Sequence, residues 1–337
     1  INWTMKKRGL RKIILVIILA LVVIAATGIW YFKWLAPKED ITYGATFSNV
    51  YAEYLELDWR EVYIAGMDDL GIEAWRIPVY WSEIEVEPNV YDFEDLDWMM
   101  DEAATRGVDV TLAVGLKVPR WPECFLPDWA KDYEVSELDV HTYALLKNTV
   151  DQYKDHEALH RWQIENEPFF PFGECPSPSP ERIADEFEIV RRLDPGHPIQ
   201  STTSGEQSLW IFSAERVDIL GISLYREVHT PVIGPFVFPH SPVFYSIQRA
   251  IVEPFIDEVI VSELQAEPWF DGGLYEQSGT TEDLYAAFPV EDLEANVAFA
   301  QQVGVSEVYF WGVEWWARLA QQGEPRLWDG AREIINE

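Results

Sequence analysis

This chain is short of basic residues and of cysteine. Over 337 residues it has 25 Lys and Arg against 58 Asp and Glu, a net charge of −33. Phosphate neutralisation needs clustered Lys and Arg, so nucleic acid is excluded as a partner. Two cysteines are too few for a small disulfide-built scaffold, and 48% hydrophobic residues are too many for a disordered tail. The length admits one large domain or two small ones. Residues 41–337 contain no Pro- or Ser-rich tract and no charge block that would divide them, which predicts a single domain.

The few basic residues are unevenly placed. Residues 1–12 hold Lys6, Lys7, Arg8, Arg11 and Lys12 and no acid, so the rest of the chain is five charges more negative than the whole. So acidic a surface suits a salty environment. Residues 13–32 are 20 consecutive positions without a charge, the length an α-helix needs to cross a bilayer core. The expectation is a basic cytoplasmic segment over 1–12, a transmembrane signal anchor over 13–34, a linker over 35–40, and a domain from 41 onward outside the cytoplasm. Trp30, Tyr31, Phe32 and Trp34 would form the interfacial belt. A cleaved signal peptide is the alternative, but the apolar run is longer than its core and leads straight into bulky aromatics.

Within 41–337, β-rich runs alternate with helix-compatible stretches. Strands are expected over 41–47, 74–80, 108–114, 161–164, 198–203, 217–224, 258–262 and 305–311. Helices are expected over 59–70, 94–106, 138–154, 180–193, 241–252 and 290–303. Several helices stop at a glycine, as at Gly71, Gly107 and Gly304, where a left-handed residue closes the last turn. Eight such repeats in this length match an α/β fold of (β/α)8 barrel type. An open doubly wound sheet would carry a Gly-rich phosphate turn after a strand, and none is present. In a barrel, chemistry belongs at the carboxyl ends of the strands.

Two acids meet that condition. The fourth strand leads into Glu165, Asn166, Glu167 and Pro168, and the seventh into Ser262, Glu263, Leu264 and Gln265. The second strand and its loop read Ala74-Trp75-Arg76-Ile77-Pro78-Val79-Tyr80-Trp81, then Ile84, Glu85, Tyr91, Asp92 and Phe93. Together these motifs resemble the clan A glycoside hydrolases, the retaining barrel enzymes that include cellulases, mannanases and β-galactosidases. The resemblance covers residues 41–337. It implies that Glu167 is the general acid/base, Glu263 the nucleophile, Arg76 the support of that nucleophile, and Asn166 a contact of the sugar 2-hydroxyl. It also places Tyr225 beside the nucleophile and Trp311 beneath the reacting sugar, with carbohydrate as the partner and no cofactor or metal. The loops over 168–180 and 226–242 match no family pattern, so the sugar and linkage stay open.

The chemistry independently asks for two carboxyl groups about 5 to 5.5 Å apart in unlike environments, one ionised and one protonated. A structural ion pair is the plain alternative for Arg76, and core packing for Tyr225 and Trp311. The chain has 16 Trp, more flat apolar surface than a core needs. Trp81, Trp121, Trp269, Trp315 and Trp316 lie near strand ends, where an indole can stack on a sugar or simply fill space. Glu206 and Gln265 are candidate partners of sugar hydroxyls. Cys124 and Cys175 fall in neighbouring loops after the third and fourth strands, which predicts a disulfide bracing that rim. Three other functions are weighed: a transglycosylase using the same site, a catalytically silent carbohydrate-binding barrel, and a zinc protease. The last would use His156, Glu157 and His160, which spell H-E-x-x-H but run directly into the expected fourth strand. The oligomeric state is not readable.

Overall fold

The computed structural model describes residues 16–24, 27–28, 40–176, 178–230, 234–269 and 279–337. Eight parallel strands close into a barrel: β1 (Thr42–Thr46), β2 (Ala74–Pro78), β3 (Asp109–Val114), β4 (Leu159–Ile164), β5 (Ile199–Thr203), β6 (Ile219–Leu224), β9 (Glu258–Gln265) and β10 (Glu307–Trp311). They pair in sequence order, and β10 closes on β1 through Thr42↔Glu307 to Ala45↔Phe310. The eight expected strands are these eight. A hairpin of β7 (Glu227–Thr230) and β8 (Gly234–Val237), not foreseen, stands in the loop after β6.

Strands of a parallel barrel are covered on both faces, so they read as continuous buried runs and not as alternating ones. Every residue of β2, β5 and β6 is buried. The helices Glu94–Arg106, Val135–Tyr153, Pro180–Leu193, Pro242–Val252 and Val290–Val303 surround them. Ser179 caps Pro180–Leu193 by accepting from the Arg182 N–H, with Pro at the first turn where its missing donor is harmless. Gly107 and Gly304, at φ 65° and 82°, end their helices in the left-handed region as expected. The stretch expected as one helix over 59–70 changes character midway: Trp59–Ala65 is α-helical and Gly66–Leu70 is a π-turn. A Cβ on Gly66 would sit 2.6 Å from the Trp75 ring, so glycine there lets the turn press onto β2. In the fifth crossover a short 3-10 turn, Trp210–Phe212, stands where a helix would be.

The barrel interior is layered. Ala74, Ile219, Ile260 and Tyr309 form a separate apolar cluster within it. Polar side chains of three strands, Arg76 of β2, Gln163 of β4 and Gln200 of β5, are hydrogen-bonded in a row through Gln163. One irregularity determines what reaches the mouth. In β9, Val261 pairs with Ile222 but Glu263 pairs with Ser223, and on the other side Val261 pairs with Val308 but Leu264 with Phe310. The extra residue is a bulge at Ser262. Side chains alternate along a strand, so with Ile260 facing inward Glu263 would face outward; the bulge re-aims it.

Of the expected segments before the barrel, residues 1–12, 13–15, 25–26, 29–34 and 35–39 lie outside the described residues. Residues 16–24 are helical and exposed. Among the described residues no helix is long and apolar enough to cross a membrane.

Candidate active site

Arg76 leaves β2 fully buried and donates in four directions. Its Nε reaches Gln163 Oε1 at 2.7 Å, Nη1 reaches Thr46 Oγ1 at 3.1 Å and Glu263 Oε1 at 2.9 Å, and Nη2 reaches Asn166 Oδ1 at 2.7 Å. The other oxygen of Glu263 accepts from the Tyr225 hydroxyl at 3.1 Å. Each oxygen of Glu263 therefore receives a donor, one of them cationic. Burial, reinforced by the Glu263 charge, holds the Tyr225 phenol well above its ordinary value, so it stays a donor.

Glu167 follows β4 in a different setting. Its backbone has φ 45°, and Glu165 has φ 58°, both in the region that favours glycine. Such strain persists only where surrounding contacts over-determine it. Here the Glu167 N–H donates to Thr202 Oγ1 at 2.8 Å, and Glu165 accepts from the N–H groups of Leu116 and Lys117 at 2.8 and 2.9 Å. Arg182, on Pro180–Leu193, pairs with Glu165 at 3.2 Å and locks the turn from behind. Among the described residues the Glu167 carboxyl accepts from the Ser223 hydroxyl at 2.9 Å. Burial first, and then the nearby Glu263 charge, push it up to about 7 against the opposing pull of Lys117, Ser223 and Arg76. The two carboxyl groups thus sit in unlike surroundings.

Around this pair the expected residues divide. Trp311 ends β10 half-buried, with the Arg120 guanidinium 4.3 Å over its ring. Arg120 is itself paired with Glu314 at 2.8 Å and with Glu267. Trp269 meets Tyr225 edge-on at 5.3 Å and touches Phe172 at 5.7 Å, and Phe172 touches Trp121 at 5.8 Å. These four rings form a continuous aromatic track from Trp121, 61% exposed, to the residue that holds Glu263. Cys124 and Cys175 are disulfide-bonded, with Cα atoms 5.3 Å apart, and tie the two loops that carry Trp121 and Phe172.

Other expected contacts are structural. Trp81 is 2% exposed and donates its indole N–H to Glu85 at 2.7 Å; Trp315 and Trp316 are wholly buried, so none of the three offers a face to a sugar. Their apolar bulk is core because they open short helices that pack back onto the barrel. Gln265 uses its amide on the backbone of the β7 strand and its approach, accepting from the Arg226 and Glu227 N–H groups at 3.0 Å and donating to the Glu227 carbonyl at 2.7 Å. Glu206 accepts from the Tyr225 N–H and the Tyr245 hydroxyl, both at 2.9 Å, and burial pushes it up to about 8. It anchors the loop that bears Tyr225.

The H-E-x-x-H pattern does not have the geometry zinc would need. Its helix ends at Tyr153, three residues short of His156, and His160 lies in β4. His156 faces Asp101 at 3.3 Å and His160 faces Asp109 at 3.4 Å, two separate pairs near the start of β4. Among the described residues no cluster of His, Cys, Asp and Glu could hold a metal ion.

Several residues of the site were not anticipated. Lys117, Arg120 and Glu123 come from the loop after β3, and Ser223 and Thr202 from the ends of β6 and β5. The available signal was the concentration of charge in that loop, next to Cys124. A hydroxyl at a strand end carries no such mark.

No family model matches the chain. Over 159 residues it is 26% identical to the β-galactosidase LacZ of Heyndrickxia coagulans, a match covering 42% of this chain and 24% of that protein. The chain therefore spans about a quarter of that curated relative's length. Among solved structures, it superposes on a GH5_18 protein from Streptomyces cattleya in complex with GlcNAc at TM-score 0.56 and 16% identity, covering 81% of this chain and 70% of the other. It also superposes on a β-galactosidase from Bacillus circulans sp. alkalophilus at TM-score 0.56 and 12% identity, covering 88% and 55%. The fold is the closed (β/α)8 barrel that these glycoside hydrolases share.

Proposed function

We propose, taking this shared barrel as the premise, that the chain is a retaining β-glycoside hydrolase acting through Glu263 and Glu167. The observation that carries the reading is the unlike surroundings of the two carboxyls. Glu263 receives Arg76 and Tyr225, whereas Glu167 meets one hydroxyl and is pushed up to about 7. In the first step a Glu263 oxygen bonds to the anomeric carbon while the glycosidic C–O bond breaks, and Glu167 gives its proton to the departing oxygen. In the second step Glu167 takes a proton from water, the water oxygen bonds to the anomeric carbon, and the ester to Glu263 breaks. Both steps balance without a cofactor. The aromatic track from Trp121 to Trp269 suits the flat faces of sugar rings.

The relatives bear the name β-galactosidase, and the solved structures are named for GH5_18 and β-galactosidase, which makes β-hexosides the first substrates to test. The charge-free run over 13–32 after a basic start supports an anchor holding the domain outside the cytoplasm. The Cys124–Cys175 disulfide agrees with an oxidising compartment.

The test is a panel of aryl β-glycosides, with NMR of the first product's anomeric configuration. Retention is expected, and inversion overturns the mechanism. Glu167→Gln is expected to lower turnover about 10²- to 10⁴-fold with affinity preserved. A carbohydrate-binding barrel without activity would lose neither.

A further inference from the structure

A third carboxyl group lies beside the two acids. Glu123 is 5% exposed, in the loop after β3, with its backbone at φ 71°. Its Oε1 accepts from Asn166 Nδ2 at 3.0 Å, and its Oε2 lies 3.0 Å from Lys117 Nζ. Lys117 in turn donates to the carbonyls of Glu167 and Phe170 at 3.2 and 3.1 Å, so the pair grips the segment that carries the proposed acid.

The loop is built to hold this carboxylate. The Glu123 N–H donates to the Arg120 carbonyl at 2.7 Å, and its own carbonyl accepts from Val118 at 2.8 Å. A Cβ on Gly173 would come within 2.7 Å of Glu123 Oε2, so glycine leaves the space the carboxylate fills. The Glu174 N–H donates to the Pro122 carbonyl at 2.9 Å, and the adjoining Cys124–Cys175 bond joins the same two loops.

We propose that Glu123 is a positioning residue for Asn166, and that the disulfide-tied rim thereby sets how the site reads the C2 position of the sugar. The proposal rests on the glycosidase reading above. Asn166 Oδ1 already accepts from Arg76 at 2.7 Å and Thr202 at 3.0 Å, so its orientation is fixed at that end. A side-chain amide carries two N–H donors. One goes to Glu123, which holds the amide plane and leaves the other for a substrate hydroxyl. A carboxylate whose only task was to staple the loop would be better placed away from Glu167 and Glu263, since like charges nearby disfavour ionisation and burial adds to the cost.

The experiment compares two aryl glycosides of the preferred sugar, one with the 2-hydroxyl and one 2-deoxy, in wild type, Glu123→Ala and Glu123→Gln. Glu123→Ala is expected to reduce the wild-type preference for the 2-hydroxy substrate, as a ratio of kcat/KM, about tenfold, the size of one buried hydrogen bond. Glu123→Gln, whose carbonyl can still accept from Asn166, is expected to restore most of it. An unchanged ratio, or an equal loss on both substrates, overturns the proposal. If Glu123→Ala does not fold, Lys117→Met with Glu123→Met removes both buried polar partners together and is measured in its place. If wild type cleaves no glycoside of the panel, the function fails by itself. Glu123 is then judged from the Asn166 side-chain amide resonances, identified by their loss in Asn166→Asp. Displacement of those resonances in the variant supports the positioning role, and unmoved resonances overturn it.

Discussion

Arg76 and Glu263, 187 positions apart, form an ion pair at 2.9 Å with both side chains almost wholly buried. A buried pair of this kind adds little stability over apolar residues, yet removing one partner strands the other charge away from water. Arg76 also holds Gln163, Thr46 and Asn166, which makes it the hub joining β1, β2, the β4 turn and β9.

Arg76→Met should therefore be both unstable and inactive. The expected loss is about 3 to 5 kcal/mol, the cost of an uncompensated buried charge. Adding Glu263→Gln should recover much of the stability and none of the activity. Denaturant unfolding of the single and double variants, beside turnover on an aryl glycoside, checks both halves.

The pH dependence of turnover has a defined sign on its alkaline side. Glu167 must be protonated to donate, and it is pushed up to about 7, so kcat/KM should decline as pH rises through that value. An aryl substrate whose leaving group needs no proton should lose this alkaline decline in the first step. Pre-steady-state release of the phenol across the pH range is the measurement. A decline of equal size for activated and unactivated leaving groups would remove Glu167 from the role.

Stability should fall over the same range for a different group. Glu206 has an ordinary value near 4.5 and is pushed up to about 8 in the folded protein. Between those values the folded state binds more protons than the unfolded one, so stability decreases as pH rises. Glu123, pushed up to about 8, and Glu167 act in the same direction. Glu206→Gln keeps an acceptor for the Tyr225 N–H and the Tyr245 hydroxyl but cannot ionise. Its Tm relative to wild type should rise steadily from about pH 5 to about pH 8. A constant difference across that range would mean that Glu206 does not carry the effect.

Two tryptophans that look alike in the sequence should behave oppositely. Trp81, 2% exposed, should cost about 3 to 5 kcal/mol when replaced by alanine, from lost burial together with the cavity left behind. Trp121, 61% exposed at the outer end of the aromatic track, should leave Tm nearly unchanged and raise KM for oligosaccharides severalfold with little change in kcat. Thermal melts and steady-state kinetics of the two variants decide this.

These contrasts mark where local pattern stops being informative. The eight strands and several helix ends could be read because their signals are local: a β-branched run, a Gly after Arg106, a Gly after Val303. Glu167 and Glu263 could be singled out as candidates because each follows a strand, and a barrel brings all strand ends to one mouth. Whether a given Trp or Glu near a strand end faces that mouth depends on what packs against it, which is why Trp81, Trp315, Trp316, Gln265 and Glu206 turned out to support the scaffold.

Strand order and barrel closure thus follow from residue pattern, since burial on both faces and Gly-closed helices admit few other arrangements. The bulge at Ser262 that turns Glu263 inward does not. Nor does the placing of Glu123 against Asn166, the four-way reach of Arg76, or the track of rings along the rim. Each joins residues tens to hundreds of positions apart, and their side chains acquire neighbours, burial and proton affinity only when the barrel has closed.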